Sequence, residues 1–242
     1  MNESVARFPD KGNERKIKLP EPHNEKKIAP PKITIVGMGP GAKEYVLPKA
    51  LETVQNARVL IGGRRLLADF ARNDQKTFPI TSDLPAVLCF LRENLPKNDV
   101  TIMVAGDPGY YSLLDTLRRE FPAEYIETIP GISSLQFAFA KLNLPWHDAV
   151  LASFHGREPA KAQLAFVPGK ILGLLTDGER NSQTIAARLI NDGWPPGTVL
   201  FVLERLSYPD EKIHKTTVEQ ATKDVPIKHC ILIVVGQTAA NG

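Results

Sequence analysis

The residues equipped to do chemistry in this chain gather in short glycine-bearing turns. VGMGPG (36–41) carries Pro40, AGDPGYYS (105–112) carries Asp107, IPGISS (129–134) carries Ser133 and Ser134, and LLTDGE (174–179) carries Thr176. Gly37, Gly39 and Ala42 satisfy G-x-G-x-x-A, the spacing of a dinucleotide-binding turn. Pro40 sits inside that turn, and proline has no N–H to offer a pyrophosphate. A nicotinamide dinucleotide also wants an acidic residue about 20 residues further on for its ribose. Here the second strand ends in Gly62, Gly63, Arg64 and Arg65 instead. A cofactor without a phosphate therefore suits the first turn better. An NADP-dependent oxidoreductase, with the arginines on its extra phosphate, is the alternative. Asp107 at a strand end either meets a ligand, works as an acid or base, or caps the following helix SLLDTL, a role equally open to Ser112. His155 and Arg157 share the loop SFHGRE (153–158). Arg64, Arg65 and Arg157 are candidate bidentate anchors for carboxylates, with plain surface solvation as the other reading.

These turns need strands to position them. KITIVG (32–37), ARVLIG (57–62), VTIMVAG (100–106) and AEYIETIPG (123–131) read as strands, with helical periodicity between them in YVLPKALETVQ, RRLLADFAR, LPAVLCFLREN and SLLDTLRREF. That alternation predicts βαβ units and a mostly parallel sheet. A second set follows: AVLASF (149–154), KILGLLTD (170–177), TVLFVLERL (198–206), KIHKTTVEQ (212–220) and HCILIVVG (229–236). KIHKTTVEQ alternates and follows the turn-rich ERLSYPDE, which predicts a hairpin and a mixed second sheet. The expected class is α/β with two domains, 33–130 and 131–238, joined near 130–134. Ligands collect beyond the carboxyl ends of strands in such sheets, so the turns are expected to face one crevice. LQFAFAKL reads as a core helix, Trp194-Pro195-Pro196-Gly197 as a turn, and Gly178 with Glu179 and Arg180 as a helix start.

Composition narrows the function classes. The 242 residues are 43% hydrophobic and 24% charged, as in ordinary globular proteins. Residues 1–32 hold eight Lys/Arg against five acids, which accounts for the whole net charge of +3. The remainder is balanced, so no broad polyanion-binding surface is expected, and no nucleic-acid partner. Residues 1–32 also carry Pro9, Pro20, Pro22, Pro30 and Pro31 among few large apolar residues, and are expected to form a flexible charged extension. No apolar signal region and no run of about 18 apolar residues occurs, so a cytoplasmic protein without a membrane span is expected. Cys89 and Cys230 lie in apolar runs and are expected as buried free thiols. The absence of C-x-x-C or H-x-x-x-H spacing gives no reason to expect a protein-built metal site.

The series GxGPG, GDPG and PGISS, in that order, resembles the tetrapyrrole (corrin/porphyrin) methylase family. IGGRRLL (61–67), AGDPGYYSLLDTL (105–117), IPGISSLQFAFAKLNLPWHDA (129–149), SFHGRE (153–158) and ERLSYPDEKI (204–213) are similar to one branch of it, which methylates C5 of a cobalt-precorrin in cobalamin synthesis. The likeness spans residues 33–236. It implies two αβα domains of the class III methyltransferase type, S-adenosyl-L-methionine in the interdomain cleft, S-adenosyl-L-homocysteine as product, and a homodimer. It implies cofactor contacts at Pro40, Ala105, Gly106, Asp107, Tyr110, Ser133, Ser134, Thr176 and Leu206. At the last pair, TDG and ERL depart from the Met-Gly and Asn-Gly wording of members acting earlier in the pathway. Arg64, Arg65, His155 and Arg157 are the implied contacts of a carboxylate-bearing tetrapyrrole, and Asp107 the implied candidate for catalysis. Methylation at another ring position, or a non-catalytic tetrapyrrole carrier, are the remaining readings. Branch members are sometimes fused to a methylase/decarboxylase acting at C15. Since Gly242 follows soon after the last strand, that activity is expected on a separate protein.

Overall fold

In the computed structural model, which describes residues 31–237, the chain builds two five-stranded sheets in succession. The first is made by β1 (Ile33–Gly37), α1 (Pro48–Asn56), β2 (Val59–Gly63), α2 (Arg64–Phe70), β3 (Lys76–Ile80), α3 (Leu84–Asn94), β4 (Val100–Val104), α4 (Leu114–Glu120) and β5 (Ile126–Ile129). The second is made by α5 (Ser134–Lys141), β6 (Val150–Ser153), α6 (Lys161–Leu164), β7 (Ile171–Leu175), α7 (Ser182–Asn191), β8 (Val199–Glu204), β9 (Lys212–Thr217), α8 (Val218–Ala221) and β10 (Ile231–Val235). The expectation for the N-terminal extension lies outside the described residues, apart from residues 31 and 32.

The first sheet runs β3-β2-β4-β1-β5, and all its pairings are parallel. Central β4 is buried at every position, because parallel strands carry helices on both faces. Ile33, Ile35, Val59, Ile61, Val100 and Ile102 pack on one face with Val87 and Leu91 of α3 and Leu117 of α4. Val36, Leu60 and Met103 pack on the other with Ala50 and Val54 of α1 and Leu66 of α2. Helix starts follow local chemistry. Pro48 opens α1, where a missing N–H is harmless. The Asp83 carboxylate accepts from Ala86 N–H at 3.0 Å to open α3.

The second sheet runs β6-β7-β10-β8-β9. β6 and β7 are parallel, β10 is antiparallel to both β7 and β8, and β8 with β9 forms the expected hairpin. Because β7 and β8 both oppose β10, they point the same way. The carboxyl ends of β6, β7 and β8 therefore emerge along one edge. Ala152, Leu172, Leu174, Val202 and Leu232 pack with α7 and Trp194 on one face; Leu203, Ile231 and Ile233 pack with Leu135, Phe137 and Phe139 of α5 on the other.

One strand was not anticipated, and two sequence expectations need correction. KTFPI forms β3, a strand the apolar pattern did not announce; it is an edge strand, exposed at Lys76 and Thr77, where Pro79 is tolerated. Cys89 is exposed, not buried. The buried residues of α3 are Val87, Leu91 and Asn94, and Cys89 follows Val87 by two positions, about 200° round the helix. Neither Asp107 nor Ser112 caps the next helix: α4 begins at Leu114 after Leu113, with no side-chain cap.

Candidate functional site

The sheet order explains why distant turns meet. β4, β1 and β5 are neighbours and parallel, so the segments leaving their carboxyl ends emerge side by side. Gly39 and Gly106 form an antiparallel bridge, with Gly106 N–H donating to Gly39 C=O at 2.8 Å. Both adopt left-handed φ, +71° and +68°, where glycine is favoured. Asp107 ties the third turn to these two. Its Oδ1 accepts from Gly109 N–H at 2.8 Å and its Oδ2 from Gly131 N–H at 3.1 Å. Gly131 lies against Gly37 so closely that a Cβ on it would sit 2.7 Å from the Gly37 carbonyl carbon. Pro40, Gly106, Asp107, Ser133 and Ser134 are thus brought to one place.

Ser133 opens α5 through a capping box: its Oγ accepts from Gln136 N–H at 3.1 Å, and its own N–H donates to Gln136 Oε1 at 3.0 Å. Its side chain fixes the helix start, and a Cβ on Gly106 would touch the Ser133 Cα at 3.7 Å. Tyr110 turns inward and packs with Leu206 against the α5 face of the second sheet. Burial raises the pKa of its hydroxyl, which has no hydrogen-bond partner among the described residues. An unpartnered buried hydroxyl costs about 1–3 kcal/mol, so this one is suited to a ligand contact.

The second sheet supplies the opposite wall. Ala42 N–H donates to Ser207 Oγ at 2.8 Å, so the segment after β8 grips the first turn. Arg205 and Ser207 hold left-handed φ of +47° and +70°, uncommon for side-chain-bearing residues and a mark of a segment held by its surroundings. The Tyr208 ring fills the space a Gly41 side chain would need, with its Cζ 2.7 Å from the position of such a Cβ. Arg65 lies over that ring at 5.0 Å and Arg205 at 4.9 Å, and Arg205 also pairs with Asp210. Arg157 lies over the Tyr111 ring at 4.5 Å. Each such cation–π contact is worth about 0.5–2 kcal/mol.

Three positions of the first turn offer a pyrophosphate no free N–H. Met38 N–H donates to Val104 C=O at 2.8 Å, Ala42 N–H is bonded to Ser207, and Pro40 has none. Other positions fall outside the cluster's polar network. The Thr176 hydroxyl is buried and committed to Cys230, donating to its C=O and accepting from its N–H, each at 2.8 Å. Thr176 therefore offers a ligand its main chain alone. Next to it, Asp177 accepts from Gly156 N–H at 3.2 Å and Arg180 N–H at 2.7 Å, joining the His155 loop to the end of β7. Arg64 and His155 are exposed, and neither side chain makes a hydrogen bond or ion pair among the described residues. Those residues hold no group of His, Cys, Asp and Glu able to bind a metal, and no helix long and apolar enough to cross a membrane. Sequence reasoning passed over Tyr111, Ser207, Tyr208 and Asp177. The signal for the middle pair was the stretch ERLSYPDE, read as a link between strands.

A family model described as Tetrapyrrole (Corrin/Porphyrin) Methylases matches residues 32–222. The chain is 37% identical over 190 residues to a probable cobalt-precorrin-7 C(5)-methyltransferase of Methanocaldococcus jannaschii, covering 75% of this chain and 87% of that one. It is 31% identical over 202 residues to the cobalt-precorrin-7 C(5)-methyltransferase of Salmonella typhimurium, covering 83% and 98%. Among solved structures, the precorrin-6Y methylase of Archaeoglobus fulgidus superposes with a TM-score of 0.66 at 23% identity, over 86% of this chain and 99% of that one. A uroporphyrin-III C-methyl transferase of Thermus thermophilus, complexed with S-adenosyl homocysteine, gives 0.64 at 24% identity over 84% and 92%. At those identities the two structures speak for the fold: a parallel first sheet and a mixed second one.

Proposed function

The chain belongs to the tetrapyrrole (corrin/porphyrin) methylase family, and from that premise we propose that it transfers a methyl group from S-adenosylmethionine to C5 of a cobalt-precorrin. The observation that carries this reading is the convergence of the turns after β1, β4 and β5 on one another and on the segment after β8. In this reading the cleft lies between an N-terminal domain of residues 33–130 and a C-terminal domain of residues 131–238. A homodimer, a separate C15-methylase/decarboxylase partner and a cytoplasmic setting complete the proposal, supported by the likeness to that branch.

The residues present fit a phosphate-free cofactor. In the first turn the Met38 and Ala42 N–H groups are bonded within the protein and Pro40 has none, glycine backbones meet closely, and the Tyr110 hydroxyl is buried without a partner among the described residues. Pro40, Ala105, Gly106, Asp107, Tyr110, Ser133, Ser134, the Thr176 main chain and Leu206 are the residues proposed to hold it. When bound, the sulfonium supplies an electrophilic methyl group for in-line displacement by a carbon nucleophile. The protein's own part is alignment, and fixing two reactants in an attacking geometry lowers a barrier by up to about 7–11 kcal/mol. Asp107 serves that alignment: with both oxygens bonded to main-chain N–H groups, it holds two turns together and is a positioning residue. A meso carbon of a reduced tetrapyrrole is already enamine-like, so the attack itself requires no protein base. Arg64, Arg65, His155 and Arg157 are proposed to meet the carboxylates around the macrocycle.

The test is incubation of the full chain with S-adenosylmethionine and cobalt-precorrin-7. A product one methyl group heavier, with the new carbon assigned to C5 by NMR, is expected. Calorimetry is expected to give micromolar S-adenosylhomocysteine binding, roughly −8 kcal/mol, and none for NADPH. Tight NADPH binding without S-adenosylhomocysteine binding would overturn the proposal in favour of an oxidoreductase.

A further inference from the structure

Two arginine–tyrosine stacks cross the cleft in opposite senses. Arg65 comes from the first residues of α2, at the end of the first sheet's β2, and lies over Tyr208, which follows β8 of the second sheet. Arg157 follows β6 of the second sheet and lies over Tyr111, which follows β4 of the first. Each half therefore lends one arginine to the other half's tyrosine. Neither arginine side chain makes a hydrogen bond or ion pair among the described residues. Several others do: Arg72 pairs with Asp74, Arg92 with Glu120, Arg180 with Asp177, and Arg188 with Asp192 and Glu158.

The tyrosines are themselves held. Tyr111 sits in the left-handed region at φ +50° and packs edge-on against Tyr110 at 4.7 Å, and Tyr110, itself half-buried, packs against the core beside α5. Tyr208 follows two left-handed residues, is wedged against Gly41, and carries Arg205 on its ring besides Arg65. Arg205 has Asp210 as its carboxylate, whereas Arg65 has none among the described residues. A guanidinium held through the face of a ring keeps its N–H fork available for a carboxylate. Holding it there beforehand removes much of the ordering cost that a mobile arginine meets on binding.

We propose that Tyr208 and Tyr111 are positioning residues that hold Arg65 and Arg157 as two anchors, one from each half, for different peripheral carboxylates of the tetrapyrrole. The inference rests on the methyl-transfer reading above and adds to it a source of substrate affinity and orientation. It also separates Arg65 from neighbouring Arg64, which has no aromatic platform among the described residues.

The test is steady-state kinetics of the full chain with cobalt-precorrin-7 and S-adenosylmethionine, comparing wild type with Tyr208→Leu, Tyr208→Phe, Arg65→Gln and the double variant Tyr208→Leu/Arg65→Gln. The same set is made for Tyr111 and Arg157. Each Tyr→Leu change is expected to raise the KM for the tetrapyrrole about fivefold to tenfold, leaving S-adenosylhomocysteine affinity within about twofold of wild type. Each Tyr→Phe change keeps the ring and is expected to restore that KM. Because the tyrosine acts through its arginine, each double variant is expected to be no worse than the single arginine variant. Additive effects, or equal weakening of both ligands, would reduce the tyrosines to structural residues and overturn the inference. Active wild type with unaffected Tyr→Leu variants would overturn it alone. A wild type that neither binds S-adenosylhomocysteine nor methylates would overturn the underlying reading as well.

Discussion

At Asp177 a single carboxylate gathers hydrogen bonds from the main-chain N–H groups of Arg180, Glu179 and Gly156, at 2.7, 2.9 and 3.2 Å, and from the Arg180 guanidinium at 2.8 Å. These donors, the Arg180 N–H foremost, favour the ionised form and draw its pKa from 3.8 down to about 2. The sign of the linkage follows from that depression. The bonds stabilise the fold fully above about pH 4 and lose their effect as pH falls through about 2. Asp177→Ala is accordingly expected to lower stability near neutral pH by about 1–3 kcal/mol, or about 2–4 °C in Tm for each kcal/mol at this size. In thermal melts from about pH 7 down to about pH 2, the gap between variant and wild type should close below about pH 4. A gap independent of pH would mean that Asp177 acts through its packing and not its charge. The same residue anchors the His155 loop to β7, so its effect belongs to the wall of the cleft and not to chemistry at a reacting atom.

Among the elements, α3 shows what an apolar run conceals. LPAVLCFLREN is nearly all apolar in its middle, yet one stripe through Val87, Leu91 and Asn94 reaches the core. Cys89 lies off that stripe with its thiol 3.4 Å from Glu93 Oε1, while Cys230 is buried beside Thr176 and burial pushes its thiol up to about 11. A thiol reagent such as Ellman's is therefore expected to modify Cys89 in the native protein and Cys230 after unfolding, as peptide mapping would show. Modification of Cys230 in the native state would contradict the packing of β10 against β7. Strands covered on both faces were legible in the sequence because burial leaves runs such as VTIMV and ILIVV. β3 was not legible, since an edge strand tolerates Pro79 and needs no apolar residue at Lys76 or Thr77. The candidate site was legible where glycine is demanded by the backbone, at Gly39 and Gly106. It was illegible at Tyr208, because the contacts that give that residue meaning join positions 41, 65 and 208, and no local pattern encodes a contact between two sheets.

For the whole molecule, the question is what keeps the turns of the first sheet close enough to act as one surface. Three main-chain segments meet with no side chain between them: a Cβ on Gly131 would lie 2.7 Å from the carbonyl carbon and 2.8 Å from the Cα of Gly37, and a Cβ on Gly37 would lie 2.7 Å from Gly106 O. Backbone on both sides cannot yield as a flexible side chain can, so Gly131→Ala must separate the turn after β1 from the link into α5. That link carries Ser133 and receives the Asp107 carboxylate, and the displacement should reach both. Overpacking of this kind costs about 1–3 kcal/mol. A control of similar cost exists at Gly193, which holds φ +90° with no atom of the described residues within 4 Å of its added Cβ and lies past the end of α7. There the penalty for alanine is backbone strain of about 1–2 kcal/mol with no neighbour displaced. Both variants are expected to melt at lower temperature. Titration calorimetry should then divide them: Gly131→Ala is expected to weaken S-adenosylhomocysteine binding at least about tenfold, which is about 1.4 kcal/mol, while Gly193→Ala leaves it unchanged. Equal affinity in the two variants would show that the contact of the three turns serves stability alone, and that the cofactor surface is assembled elsewhere.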